Sequence, residues 1–199
     1  GMVFEFTELQ GIMGREYAKV GGENEAVSEA IFEHYLPRFA GDILPQTNAG
    51  IALSIADKLD SIAGFFAIGI HPTGSQDPYA LRRQALGVIN ILMDRKLDIS
   101  LKSLVDISLE NYTNLEFDKQ TVANEMMEFF NERIKNLFRE LGIRYDVIDA
   151  VLSANIDNVS DMYIRAEELN NWIQKDELVE MLTAFNRVAT LAQKAETDK

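Results

Sequence analysis

The chain contains no cysteine, only two histidines and only four prolines. The lack of cysteine excludes a disulfide framework, a thiol nucleophile and a thiolate metal site, and it fits the reducing cytoplasm. Long apolar runs are also missing, since the longest, Ile62 to Ile70, has about half the length that a bilayer requires. We therefore expect a cytoplasmic protein with no membrane partner.

Positive charge is scarce as well. The formal net charge is −13, of which −5 falls in residues 1–95 and −8 in residues 96–199. Because binding to phosphates needs clustered lysine and arginine, neither half is a basic nucleic-acid-binding module, and any RNA contact has to be local. The local candidates are two arginines at the start of a helix and a basic series that glutamates interrupt: Arg82, Arg83, and Arg133, Lys135, Arg139 and Arg144.

Apolar residues make up 47% of the chain and recur with helical spacing, whereas no strand-like alternation is evident. The predicted class is all-α. Helices are expected over about 6–20, 24–36, 49–68, 78–93, 100–111, 119–141, 145–153, 158–170 and 174–194. The apolar face of the third of these predicts a buried surface made of Ile51, Ile55, Leu59, Ile62 and Phe66. A helix-to-helix connection near Lys96 is the most plausible domain boundary.

The most unusual stretch covers residues 71–83 and reads His-Pro-Thr-Gly-Ser-Gln-Asp-Pro-Tyr-Ala-Leu-Arg-Arg. We expect Asp77 to be an N-cap and Pro78 to occupy the first position of the following helix. A capped turn explains Gly74, Asp77 and Pro78, but a turn does not require the remaining special residues. Those are His71, Gln76, Arg82 and Arg83, and a plain loop and a contact with RNA or another subunit both remain open for them.

Two further stretches accompany this segment: Glu33-His34-Tyr35-Leu36-Pro37-Arg38-Phe39-Ala40-Gly41-Asp42 and Ala56-Asp57-Lys58-Leu59-Asp60. Together the three resemble the β subunit of the bacterial two-subunit glycine–tRNA ligase, a class II aminoacyl-tRNA synthetase. That subunit is several times longer, so the resemblance implies an excised segment from its C-terminal half, with Gly1 as a tag-cleavage remnant. It also implies an HD-like helical domain over residues 1–95. Residues 96–199 would be a helical extension leading towards the anticodon-binding region.

The resemblance implies a role in the ATP-dependent attachment of glycine to tRNA-Gly. In that family the α subunit looks to activate glycine with ATP and magnesium, while the β subunit binds tRNA. This piece, which has neither a Gly-x-x-x-x-Gly-Lys loop nor a Rossmann fingerprint, is expected to bind tRNA or act as a scaffold without a cofactor or catalysis of its own. The implied partners are tRNA-Gly, the α subunit and the remainder of the β subunit. The expected RNA or subunit contacts are His71, Gln76, Arg82, Arg83 and Arg38, although an ion pair with Asp42 is favoured for Arg38.

His34 and Asp57 also resemble parts of the metal-binding framework of HD-type phosphohydrolases, in which a metal-bound water attacks a phosphate ester. The set is incomplete, since the chain has no His-Asp dipeptide and His71 would lie about 20 Å from Asp57 along a helix. An HD-like fold without metal chemistry is therefore favoured. A metal-dependent phosphohydrolase and a plain helical interaction scaffold are the alternatives.

Overall fold

A computed structural model describes residues 2–74, 76–154 and 156–197 of the chain; Gly1 and Ser75 lie outside the described residues. These residues form α-helices and one short 3-10 helix, with no β-strand among them, which confirms the all-α prediction. The helices are α1 Met2–Glu5, α2 Ile12–Val20, α3 Glu25–Glu33, α4 Asn48–Ala67, α5 Leu81–Asp94, α6 Leu101–Glu110, α7 Lys119–Glu140, α8 Tyr145–Ser153, α9 Val159–Trp172 and α10 Asp176–Thr197.

Most helix starts follow from local side-chain chemistry. Asn24, Thr47 and Ser100 each accept a hydrogen bond from the backbone N–H three residues further on, which satisfies one of the free amides of the new helix. Asp118 and Asn158 do the same for α7 and α9. The helix boundaries predicted after residue 96 therefore agree with the structure to within about three residues.

Three of the helices predicted before residue 96 are wrong at one end. The helix expected over 6–20 is broken by Gly11, whose φ of 78° lies in the left-handed region; the 3-10 helix Thr7–Leu9 precedes it and α2 follows. Helix α3 ends at Glu33, three residues earlier than predicted. The backbone N–H groups of Tyr35 and Leu36 donate to carbonyl oxygens three residues back, in turns that lead to Pro37. Helix α5 begins at Leu81, three residues later than predicted.

Helix α4 is the central element and packs against α3, α5, α6 and α7. Its predicted inner face, from Ile51 to Phe66, is buried, and burial of each such side chain contributes about 1.5–3 kcal/mol. The buried core is continuous across residue 96, since α4 contacts α6 and α5 contacts both α7 and α9. The division into residues 1–95 and 96–199 stays a prediction.

Among the described residues, none of the helices has both the length and the apolarity that a membrane-spanning segment needs.

Candidate functional site

Segment 34–47, between α3 and α4, is fixed at its far end by a buried carboxylate. The Glu33 side chain, in a residue only 6% exposed, accepts hydrogen bonds from the backbone N–H groups of Gln46 and Thr47 and from the Thr47 hydroxyl. Gly50 lies directly against this carboxylate, so that a Cβ atom there would overlap Glu33. Glu33 is therefore a structural group rather than an open site.

The near end of the same segment is fixed by a buried ammonium group. Lys58, only 4% exposed, donates to the carbonyl oxygens of His34 and Leu36 at 3.0 and 2.8 Å and to the Ser54 hydroxyl at 2.8 Å. No carboxylate lies within ion-pair distance of this ammonium group in the described residues. Burial lowers the pKa of Lys58 to about 8, and the charge of neighbouring Asp57 opposes that shift only in part.

Arg38, within segment 34–47, is engaged by the chain itself. Its guanidinium donates to both carboxylate oxygens of Asp42, at 2.8 and 3.1 Å, and the Asp42 carboxylate also accepts from the backbone N–H of Arg38. The hydrogen bond from Arg38 holds the pKa of Asp42 below its usual range, although burial opposes the shift. The ion pair favoured from the sequence is therefore present, and a contact of Arg38 with RNA stays a prediction.

Residues 71–83 cover most of the connection from α4 to α5 and the first three residues of α5, and they differ from the expected helix start. Asp77 accepts from the backbone N–H groups of Leu81 and Arg82, at 2.8 and 3.0 Å, so it caps α5 from outside the helix. The predicted placement of Asp77 as N-cap and Pro78 as first helical residue is wrong. Ala80, with φ 55°, is the residue before the helix, and its left-handed conformation turns the chain so that α5 begins at Leu81.

The structure places His71 and Gln76 apart from the two arginines. His71 stacks on Phe66 with ring centroids 4.5 Å apart, and its Nε2 lies 3.4 Å from a carboxylate oxygen of Glu125. With Gln76 it lines a small cavity of about 170 Å³, whose wall also includes Asp77. Both side chains are exposed, and their contact with RNA or a subunit stays a prediction.

Arg82 and Arg83 are cations without partners in the part of the chain that the structure describes. Neither guanidinium makes a hydrogen bond or an ion pair with any described residue, whereas the nearby Arg133 donates to the carbonyl of Phe129 and lies over its ring at 3.9 Å. Burial lowers the pKa of Arg133, and the positive charge of Arg82 lowers it further. Arg82 and Arg83 therefore add positive charge to an otherwise acidic protein.

Both arginines line a groove of about 780 Å³ between segment 34–47 and the carboxyl end of α7. Phe39, which is 56% exposed, borders this groove, and Leu86 and Leu137 add apolar surface. Next to it, Arg83 also lines a smaller hollow of about 250 Å³ together with Arg38 and Asp57. The structure thus brings Arg82, Arg83 and the Arg38 segment together, but it does not bring His71 or Gln76 into the groove.

The two candidate metal ligands have other surroundings. The Nδ1 atom of His34 lies 2.7 Å from the carbonyl oxygen of Ile31, and its ring contacts Tyr35. Asp57 is exposed on α4. Within the described ranges, no three side chains of histidine, aspartate or glutamate are grouped so that they could hold a metal ion.

Sequence reasoning did not identify Glu33 or Lys58 as buried ions. For Lys58 a signal existed, because residue 58 continues the buried spacing of Ile51, Ser54 and Ile55 and lies one turn after Ser54. For Glu33 no such signal existed, since its donors come from residues 46 and 47, beyond a long connection.

Comparison with known proteins gives consistent matches. A family model described as glycyl-tRNA synthetase beta subunit matches residues 1–153. The glycine–tRNA ligase beta subunit of Clostridioides difficile (strain 630) is 76% identical over 199 residues, which are all of this chain and 29% of that protein. The beta subunits of Desulforamulus reducens and Syntrophomonas wolfei subsp. wolfei are 51% and 46% identical, over 98% and 100% of this chain and 29% of each protein. The chain thus spans less than a third of the length of these relatives.

Proposed function

We infer the function of this chain from its family, because the chain belongs to the glycyl-tRNA synthetase beta-subunit family. We propose that it is a piece of a β subunit that, with an α subunit and the remainder of the β subunit, supports the ATP-dependent attachment of glycine to tRNA-Gly in the cytoplasm. ATP and magnesium would be used by the parent complex. The piece itself would hold part of the tRNA or brace the parts that do.

The observation that supports a tRNA contact is the pair of arginines on the groove that no described residue pairs with. A guanidinium offers several N–H donors in a plane, and it binds phosphate oxygens with charge-assisted hydrogen bonds. Arg82 and Arg83 have these donors free among the described residues, whereas Arg38 uses two of its donors on Asp42. In a chain with a net charge of −13, two cations on one concave surface that have no ion-pair partner among the described residues favour a local anionic partner.

The scaffold role has a separate observation in its favour. Helix α10 exposes apolar side chains at helical spacing, namely Met181, Leu182, Phe185, Val188 and Leu191. A stripe of this kind is typical of a helix that packs against another protein surface. Bracing by α10 and RNA contact at the groove are compatible, because they use different parts of the chain. A phosphohydrolase activity at His34 and Asp57 has no comparable support.

Titration of labelled tRNA-Gly against the chain at low and moderate salt tests the RNA contact. The variant Arg82→Ala/Arg83→Ala is compared with Lys102→Ala/Lys119→Ala, which removes the same charge from exposed positions outside the groove. We expect saturable, salt-sensitive binding that only the arginine variant loses. Absence of binding by the intact chain, or equal loss in both variants, would overturn the RNA contact and leave the scaffold role.

A further inference from the structure

The hollow beside the groove gathers charged and polar groups from several elements. Its wall combines Arg38 from segment 34–47, Asp57, Lys58 and Ser61 from α4, and Arg83 from α5. Its volume of about 250 Å³ lies just below the range of pockets for drug-sized ligands. The hollow is therefore suited to a small polar group rather than to a whole nucleotide.

The positive charges around this hollow exceed the negative ones. Among the described residues that line it, Arg38, Lys58 and Arg83 carry positive charge and Asp57 carries negative charge. The carboxylate of Asp42 compensates Arg38 through two hydrogen bonds. Lys58 and Arg83 have no carboxylate partner within the described residues. A buried ammonium group that no carboxylate directly pairs with is costly, so an anion in the hollow would be stabilised by it.

The hydrogen-bond donors that remain free define the chemistry of that anion. Lys58 already donates to three oxygens of the chain, so it can attract an anion only through its charge. Arg38 uses two of its five N–H groups on Asp42, and Arg83 uses none on the described residues. The Ser61 hydroxyl adds a further donor at the wall. Several N–H donors around one small hollow match an oxyanion with several acceptor oxygens.

We infer that this hollow is a binding site for a phosphate group, with Arg83 as its main donor and with Arg38, Ser61 and the charge of Lys58 in support. The phosphate would come from one of two sources. One is a phosphate of the tRNA backbone, and in that case the inference rests on the proposed function. A free phosphate, or a small phosphorylated molecule, would use the same groups without any RNA.

Isothermal titration with inorganic phosphate at constant ionic strength tests the site directly. We expect saturable binding that Arg83→Gln weakens about tenfold or more, because a charged donor is lost. Asp57→Asn should tighten binding by about threefold, because a like charge is removed from the wall. Lys119→Gln is the matched control and should bind as the intact chain does, since this exposed lysine lines neither the hollow nor the groove.

The opposite signs of the Arg83 and Asp57 variants separate a binding site from a loss of structure. Absence of phosphate binding, or equal weakening by Lys119→Gln and Arg83→Gln, would overturn the inference. If saturating tRNA-Gly prevents phosphate binding, the RNA supplies the phosphate; if phosphate binds equally well with RNA present, the source is a free phosphate. If the chain binds tRNA-Gly but not phosphate, the phosphate site in the hollow is refuted and the RNA contact stands. If the chain binds phosphate but not tRNA-Gly, only the RNA contact is refuted.

Discussion

The two segments that border the groove contain similar residues but use them differently. In segment 34–47, Arg38 is paired with Asp42, and the segment is held by two buried ions, Glu33 at one end and Lys58 at the other. In segment 71–83, Asp77 caps α5, but the following Arg82 and Arg83 have no partner among the described residues. The charged side chains of segment 34–47 find their partners within the chain itself. Segment 71–83 leaves two cations that no described residue pairs with, and these are available to a binding partner.

This difference matters because buried polar groups stabilise a fold only when their hydrogen bonds are made. A change in segment 34–47 should therefore lower the free energy of unfolding. A change at Arg82 or Arg83 should alter binding and leave stability as it is.

Gly50→Ala should destabilise the fold most. A Cβ atom at residue 50 would overlap the carboxylate of Glu33, which cannot move without losing its hydrogen bonds to Gln46 and Thr47. We expect a loss of about 3 kcal/mol or more in the free energy of unfolding, measured by urea denaturation. Gly21→Ala is the control, because a Cβ atom at Gly21 meets nothing closer than 3.2 Å. Similar stability of the two variants would contradict the role given to Glu33.

Arg38→Met should have the next largest effect. The Asp42 side chain is only 5% exposed, and without Arg38 its carboxylate keeps only backbone donors. We expect a loss of about 1–3 kcal/mol at neutral pH. Because Arg38 lowers the pKa of Asp42, the stabilisation is present above the unfolded pKa of about 3.9 and is lost as the pH falls through the folded value.

Acid denaturation of this variant tests the direction of that dependence of stability on pH. Arg38→Met should lose less stability on acidification than the intact chain does, because the pair that acid breaks is already absent. The double variant Arg38→Met/Asp42→Asn should be more stable than Arg38→Met alone, since it leaves no uncompensated carboxylate. Equal acid sensitivity of all three proteins would show that the pair contributes nothing.

How far the sequence predicts the structure follows the same contrast. The helices and the buried face of α4 depend on local spacing and on caps such as Asn24 and Thr47, and they were predictable. The start of α5 was not, because a left-handed Ala80 carries no sequence signature. The grouping of Arg83, Arg38 and Lys58 depends on packing between elements distant in the chain, which single-sequence patterns do not contain.

Lys58 should make stability depend on alkaline pH. Its pKa is about 8 in the folded protein and about 10.4 in the unfolded chain, so the unfolded state binds more protons between these values. Stability should therefore rise from pH 8 upwards, by at most about 1.4 kcal/mol per pH unit. Urea denaturation between pH 8 and about 9.5 measures this rise, and Lys58→Met provides the reference without it. The same pH profile in both proteins would contradict a lowered pKa.

Arg82→Ala/Arg83→Ala should have the smallest effect on stability, because neither guanidinium contacts a described residue by hydrogen bond or ion pair. We expect a change in the free energy of unfolding within about 0.5 kcal/mol, as for most exposed positions. A slight gain is the expected direction, since Arg82 lies near the half-buried charge of Arg133 and its removal relieves that repulsion. A loss as large as that of Arg38→Met would mean that these arginines hold the fold together, and the contrast between the two segments would then fail.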